Sequence, residues 1–496
     1  MGSKIERHRT RLCVPPPSGC KPSSRLTPRE VEDLADELHA FHRLYARCFQ
    51  RREQRFWSFF YLCGQFSALE RKTIEPMVLA LQGPKPNAVR ALDQFLGAGT
   101  WEMQTLVQRH QQLVAESLGS PDGTVIVDGC GFPKQGISSA GVARQYCGAV
   151  GKVANCQEGV FMVYATPHGY TFLDCRLYVH ESWFDAEYTE RWQKCGLPED
   201  LPFQTEPELA LQMLQGLVQR ECVPFRWVTC DEHFGQNPAF LDGIADLGKW
   251  YLAEVPADTR VWRRTPRVEP PGRSLRGPAR RYPRVARNAP RAQEVRQFVS
   301  QLPASRWHRY RIKEGSQGSL RADLAFLRVT TVRNGLPGPR VWLVIRRSVA
   351  RVPGFKFYLS NASCDVSRSE LVQQCGMRWP VETTLEEAKG ELGMDHYETR
   401  SWRGWHHQMM QSFMAHLFLM RMRLAFKKNS GAHHGPSAHT HCRSAARRSD
   451  LFRQGIGMCR ILSTPQPCSV LFTSKASTAK LATVFTTSKT QSLQVI

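Results

Sequence analysis

Long apolar runs are missing from this chain. No stretch approaches the roughly 18 consecutive apolar residues that a membrane-spanning helix needs, so no transmembrane segment is expected. The opening MGSKIERHRTRLCVPPP is charged and Pro-rich where a secretion signal would carry an apolar centre, and Glu6 stands where myristoylation requires Ser or Thr. Paired cysteines are missing as well: the 16 cysteines are scattered singly, without one C-x-x-C. That argues against zinc ribbons and fingers, which need ligands at short spacing, and, without a signal segment, against a disulfide framework. The cysteines read as small, reduced core residues of a cytoplasmic protein. Acidic residues are scarce beside basic ones, 44 Asp and Glu against 67 Lys and Arg, for a formal charge of +23. Such an excess concentrates polyanions and releases counterions when phosphates are neutralised, so nucleic acid is the expected partner.

What is present describes a globular chain of 496 residues, 42% apolar and 22% charged, with room for two to four domains. Residues 1–25 form a basic, Pro/Ser-rich arm expected to be disordered. Residues 26–118 are helical in pattern, opening with Thr27 as cap of an amphipathic run. Near its end, two helical patterns are broken by Gly97-Ala98-Gly99, with Thr100 placed to cap the second. This has the form of a helix-turn-helix that could enter a major groove, or of a helical hairpin serving packing or dimerisation.

Residues 119–256 change to strands and then alternate. TVIVD, EGVFMVYAT and YTFLDCRLYV read as three strands; helix PELALQMLQGLVQREC, strand FRWVTCD, helix NPAFLDGIADLG and strand WYLAEV follow. A three-stranded meander feeding alternating β/α elements is the order of a ribonuclease H-like α/β core. Residues 257–366 interrupt it. About fifteen arginines lie between Arg260 and Arg311, among prolines and the aromatics Trp262, Tyr282 and Trp307. ADLAFLRVTTV, RVWLVIRRSV and GFKFYLS then read as strands, giving a β-rich insertion with a flexible basic loop. A long helical pattern over 367–427 restores the core, and 428–496, rich in Ser, Thr, His and Arg, reads as a disordered tail.

Asp128 and Asp231 each end an apolar β-run, and strand ends of an α/β sheet converge on one crevice. Two carboxylates meeting there repel unless a cation lies between them, which suits a pair of hard divalent ions and phosphoryl transfer. A third acid is expected from a helix beside those strands. In RWPVETTLEEAKGELG, Glu382, Glu386 and Lys389 share one helical face, with Arg378 one turn earlier. Taken alone, that helix reads as a solvated face of Glu–Lys pairs; placed after the two aspartates, it reads as the source of the third acid.

The strings VDGCGFPKQG, GVARQYCGAVGKVANCQEGV, FQTEPELAL, WVTCDEHFG and RWPVETTLEEAKGELGMDHYETRSWRGWHH resemble bacterial insertion-sequence transposases of the DDE type, over roughly residues 25–427. The resemblance is to the branch with a β insertion and a Tyr-x2-Arg-x3-Glu-x6-Lys signature. Arg378, Glu382 and Lys389 keep that spacing, whereas Cys375 replaces the tyrosine. The resemblance implies that Asp128, Asp231 and Glu382, rather than Glu386 or Glu387, are the catalytic, metal-holding acids. It implies two Mg2+ or Mn2+ ions per site, a homodimer on transposon inverted repeats and target DNA, and action in the bacterial cytoplasm at the nucleoid. Lys134, Arg144 with Gln145, Arg378 and Lys389 are candidates for holding the DNA backbone. Trp307 and Trp262 are candidates for stacking on an unpaired base, with core packing as the alternative. His433, His434, His439, His441 and Cys442 form an irregular tail cluster with weak metal-binding character. The competing functions are a silent DNA-binding descendant of a transposase and a metal-dependent nuclease without strand joining.

Overall fold

The computed structural model describes residues 28–272, 280–315 and 318–430. The N-terminal arm, Thr27, part of the Arg-rich loop and the tail with its His/Cys cluster lie outside these residues.

Five helices open the described chain: α1 (Pro28–Arg43), α2 (Arg52–Gln65), α3 (Ile74–Gln82), α4 (Pro86–Gly97) and α5 (Met103–Leu118). Thr100 is not the cap of α5. The structure caps it with Glu102, whose side chain accepts from the Gln104 amide. The reason lies one residue earlier: Trp101 is buried, its ring centroid 3.4 Å from that of His407, and this burial holds the chain extended past Thr100. The inner face of α5 is given to packing. His110 and Gln111 are fully buried and bond to the carbonyl oxygens of Phe172 and Leu173 at 3.0 and 3.3 Å.

The centre is a sheet. Its first strands are β1 (Thr124–Pro133), β2 (Ala143–Cys147), β3 (Lys152–Ala165) and β4 (Tyr170–Tyr178). Then come α6 (Thr189–Cys195), α7 (Glu206–Arg220), β5 (Trp227–Cys230), the short α8 (Glu232–Gly235), α9 (Pro238–Asp246) and β6 (Trp250–Val255). β1 runs antiparallel to β3 and parallel to β5, β3 is antiparallel to β4, and β5 is parallel to β6. The apolar run of β1, buried from Thr124 to Val127, suits a strand covered on both faces. β2, within GVARQYCGAVGKVANC, is a strand that the apolar pattern does not announce; it pairs with the exposed start of β3.

The chain then adds β7 (Arg260–Trp262), β8 (Val268–Glu269), β9 (Arg284–Val285), β10 (Gln293–Glu294), α10 (Gln297–Gln301), β11 (His308–Gly315), β12 (Gly318–Arg333), β13 (Leu336–Ser348) and β14 (Phe355–Ser360). β14 pairs with β6, so the strands of this segment continue the central sheet. Among the described residues this sheet has twelve strands, and β8 and β9 form a separate pair. The helical run after residue 367 is divided into α11 (Arg368–Cys375) and α12 (Trp379–Gly390). Pro380 has no amide hydrogen to continue α11 and fits the first turn of a new helix. The long α13 (Trp402–Ser430) is buried from Gly404 through Met420 between β4 and the N-terminal helices. Phe413 stacks on Phe172 with centroids 4.3 Å apart, while Tyr61, Gln65 and Ser58 of α2 bond to Gln408, Ser412 and Gln411. No helix among the described residues is long and apolar enough to cross a membrane. Of the described cysteines only Cys364 is exposed.

Candidate active site

Parallel pairing sets the first two acids side by side. Val127 is opposite Cys230 in the β1–β5 register, so Asp231, just past the end of β5, and Asp128, inside β1 rather than at its end because β1 stays paired with β3 to Pro133, stand at the same level, with strands about 4.8 Å apart. Asp231 caps α8 by accepting from the Phe234 amide at 3.2 Å. The glycine of WVTCDEHFG lets that turn lie against β6, since a Cβ on Gly235 would stand 1.9 Å from the Glu254 carbonyl oxygen. In VDGCGFPKQG, a Cβ on Gly131 would stand 2.6 Å from the Cys147 sulfur.

Glu382 comes from the first turn of α12 and is half-exposed. Arg378, just before that helix, joins the acids. Its Nη1 lies 3.3 Å from Asp128 Oδ2, its Nη2 donates to Glu382 Oε1, and its Nε lies 3.9 Å from Glu254 Oε2. Burial, with the neighbouring Asp231 charge, pushes the Asp128 carboxyl up to about 7 despite Arg378. Burial also raises Asp231. The crevice is therefore short of positive charge. Among the described residues no three His, Cys, Asp or Glu side chains already form a metal cage; Arg378 stands between Asp128 and Glu382 instead.

Lys389, on the same helix, bonds to the Gly131 carbonyl at 3.2 Å and lies 4.8 Å from the Phe132 ring centre. Lys134 is set over the Tyr397 ring at 3.5 Å, and burial lowers its ammonium to about 8. It lines a cavity of about 360 Å³ with Ser138, Ser139 and Arg400. Arg144 is exposed on β2, opposite Asn155, and Gln145 bonds to the Cys156 carbonyl. Trp307 is half-buried just before β11, under the Arg347 guanidinium at 4.4 Å and near Phe355. Trp262 is buried, with its indole donating to the Pro290 carbonyl at 3.0 Å, which is core packing. Glu386 is exposed. Cys375 is buried among Leu371, Val372 and Tyr358, its thiol pushed up to about 12 by burial.

Several residues join the site without having been expected there. Glu254 follows the apolar stretch WYLA within β6, a pattern like that leading to Asp128 and Asp231, and is 5% exposed. Glu158 is opposite Gly131 in the β1–β3 register; burial and then Glu206 push its carboxyl up to about 8, and its Oε2 is buried without a hydrogen bond among the described residues. His233 lies 3.5 Å from Glu206, which raises its imidazole. Only the fold, not local pattern, brings Glu158 of β3 and Glu206 at the start of α7 to this rim.

The profile of the DDE superfamily endonuclease family matches residues 44–319. A probable transposase for the insertion sequence element IS701, from Microchaete diplosiphon, is 25% identical over 340 residues, covering 68% of this chain and 75% of the relative. A solved structure of the piggyBac transposase synaptic complex with hairpin DNA is 10% identical with a TM-score of 0.36, covering 92% of this chain and 89% of that one.

Proposed function

The chain belongs to the DDE superfamily endonucleases, and on that premise we propose that it is an insertion-sequence transposase that cleaves transposon ends and joins them to target DNA. The observation that carries the reading is the gathering of Asp128, Asp231 and Glu382 from β1, the β5–α8 turn and α12 around one crevice. We read the order β4–β3–β1–β5–β6, antiparallel and then parallel, as a ribonuclease H-like core, with β7–β14 as its insertion.

The donor set fits divalent cations. Carboxylate oxygens are hard ligands, and the raised Asp128 carboxyl marks a place where added positive charge is favoured. Asp128, Asp231 and Glu382 would hold two Mg2+ or Mn2+ ions, which when bound supply activation of the attacking oxygen and stabilisation of the leaving one. Lys389, on the helix of Glu382 and fixed to the Gly131 carbonyl, is suited to orienting a DNA phosphate, and Lys134, directly after β1 and set over the Tyr397 ring, is a second candidate. Exposed arginines on β2 and the insertion extend that basic surface outward. Cutting two ends in concert calls for two sites, hence two copies of the chain, acting on DNA in the bacterial cytoplasm.

The test is single-turnover cleavage of a labelled transposon end in Mg2+, with binding measured in parallel in Ca2+. Asp231→Asn should bind like the wild type and lose cleavage and joining by about a thousandfold or more. Substantial cleavage by this variant would remove the mechanism. A wild-type protein that binds its ends without cutting them would be a silent DNA-binding descendant, and one that cuts without joining would be a nuclease.

A further inference from the structure

Glu254 has ionic partners on both oxygens. Oε1 accepts from Lys356 Nζ at 2.6 Å, and Oε2 lies 3.9 Å from Arg378 Nε. The other two nitrogens of that guanidinium face Asp128 and Glu382. One guanidinium is thus shared by three carboxylates arriving from β1, β6 and α12. Lys356 belongs to β14, the strand by which the insertion rejoins the core sheet.

This sharing conflicts with the proposed occupation of the acids. A guanidinium between Asp128 and Glu382 neutralises them while they hold no cation, but it repels a divalent ion bound to the same oxygens. It must then have another acceptor, because a partly buried guanidinium left unpaired is strongly disfavoured. Glu254 is that acceptor. It is already within ion-pair distance, so a rotation near the end of the Arg378 side chain transfers the contact without moving α12. Lys356 competes for the same carboxylate and so sets how strongly Glu254 draws Arg378.

We propose that Glu254 is a positioning residue that gives Arg378 an alternative seat, clearing Asp128 and Glu382 for divalent cations, with Lys356 of the insertion setting the balance between the two seats. The proposal rests on the reading of the three acids as a metal site.

The experiment measures Mn2+ binding by electron paramagnetic resonance in the full-length protein without DNA. Wild type, Glu254→Gln and Lys356→Gln are compared, each with and without Arg378→Ala, and folding is followed by circular dichroism. Glu254→Gln should weaken Mn2+ binding by about fivefold or more and Lys356→Gln should strengthen it. Both differences should vanish in the Arg378→Ala background. An unchanged affinity in Glu254→Gln would overturn the proposal. So would differences of equal size with and without Arg378, since these would reflect only the direct field of the altered charges. Should Glu254→Gln fail to fold, the half-exposed Lys356→Gln and its Arg378→Ala double variant decide by the same criterion. A wild-type protein that binds no Mn2+ would remove the metal reading and this inference together; binding that Glu254→Gln leaves unmoved would remove the inference alone.

Discussion

Arg423 of α13 donates to both oxygens of Glu387 on α12, at 2.9 and 2.8 Å. The buried His416 adds a third contact to that carboxylate at 3.2 Å, and the Tyr170 hydroxyl a fourth at 3.2 Å. Glu387, which stands beside Glu382 in the sequence as an alternative acid, therefore ties the helix of the candidate site to the buried C-terminal helix.

Burial alone would raise the Glu387 carboxyl, but His416 and Arg423 hold it down to about 2. A depressed acid stabilises the fold above its ordinary value and loses that contribution as pH falls through the folded one. The Glu387 contribution should therefore be complete at neutral pH and disappear between about pH 4.5 and 2. Glu387→Gln leaves Arg423 without its countercharge and should cost about 3 kcal/mol at pH 7. Denaturant melts at pH 7 and pH 3 check both statements: the variant should differ much less from wild type at the lower pH.

Asp128 has the opposite sign. Its folded value is about 7 against an ordinary 3.8. Between these values the folded protein keeps a proton that the unfolded chain has lost, so its contribution to stability falls as pH rises and levels off above 7. Asp128→Asn removes that slope. In EDTA the variant should melt a few °C (about 2–4) above wild type at pH 8 and near it at pH 4. Parallel melting curves across this range would show that the carboxyl is not strained by its surroundings.

Gly235→Ala should damage the site by geometry alone. The added carbon would stand 1.9 Å from the Glu254 carbonyl oxygen, so either α8 or β6 must give way. Overpacking of this kind costs about 1–3 kcal/mol. Since Asp231 caps α8, the displaced turn carries the acid with it. The variant should fold with a lowered melting temperature and lose most end cleavage while retaining DNA binding. Near-normal cleavage would show that the turn relaxes without moving Asp231.

The Arg-rich stretch is divided by its ion pairs. Arg280 and Arg284 are paired to Glu269 at 2.9 and 3.0 Å, whereas Arg263, Arg264, Arg281 and Arg287 are exposed. Replacing those four exposed arginines with Gln should lower the slope of log affinity against log salt by up to about 0.9 for each phosphate that is no longer neutralised. The Arg280/Arg284 pair should contribute less. Point changes are preferable to deletion of the loop, because Pro290 accepts the Trp262 indole hydrogen bond and its removal would open the insertion core. A slope unchanged in the fourfold variant would make the loop a bystander to DNA binding.

The local chemistry of the chain was enough to announce most elements: the apolar runs of β1, β5 and β6, the β-branched strands of the insertion, and the amphipathic helices before and after. Asp128 and Asp231, each closing an apolar run of sequence, and the shared face of Arg378, Glu382 and Lys389 are legible for the same reason, since periods of two and 3.6 residues operate within a few positions, although β1 itself continues past Asp128 to Pro133 through its pairing with β3. α5 starts beyond Thr100 because burial of Trp101 against His407, far along the chain, overrides a good capping threonine. The division between α11 and α12 follows from Pro380, which the long apolar period concealed.

What tertiary structure alone decided is which charges meet. The pattern of Arg378 and Glu382 suits a solvated helix or a phosphate clamp; only the packing of α12 beside β1 and β3 places that guanidinium among Asp128, Glu382 and Glu254. Lys356 reaches Glu254 only because β14 pairs with β6. Glu387 is tied to α13 rather than to the acids because α12 turns that face toward Arg423 and His416. Sheet order and helix packing are set by burial of apolar surface across the whole chain, which fixes no residue pair until the layers close. The burial that brings these charged groups together also shifts their proton affinities, and no local pattern carries that information.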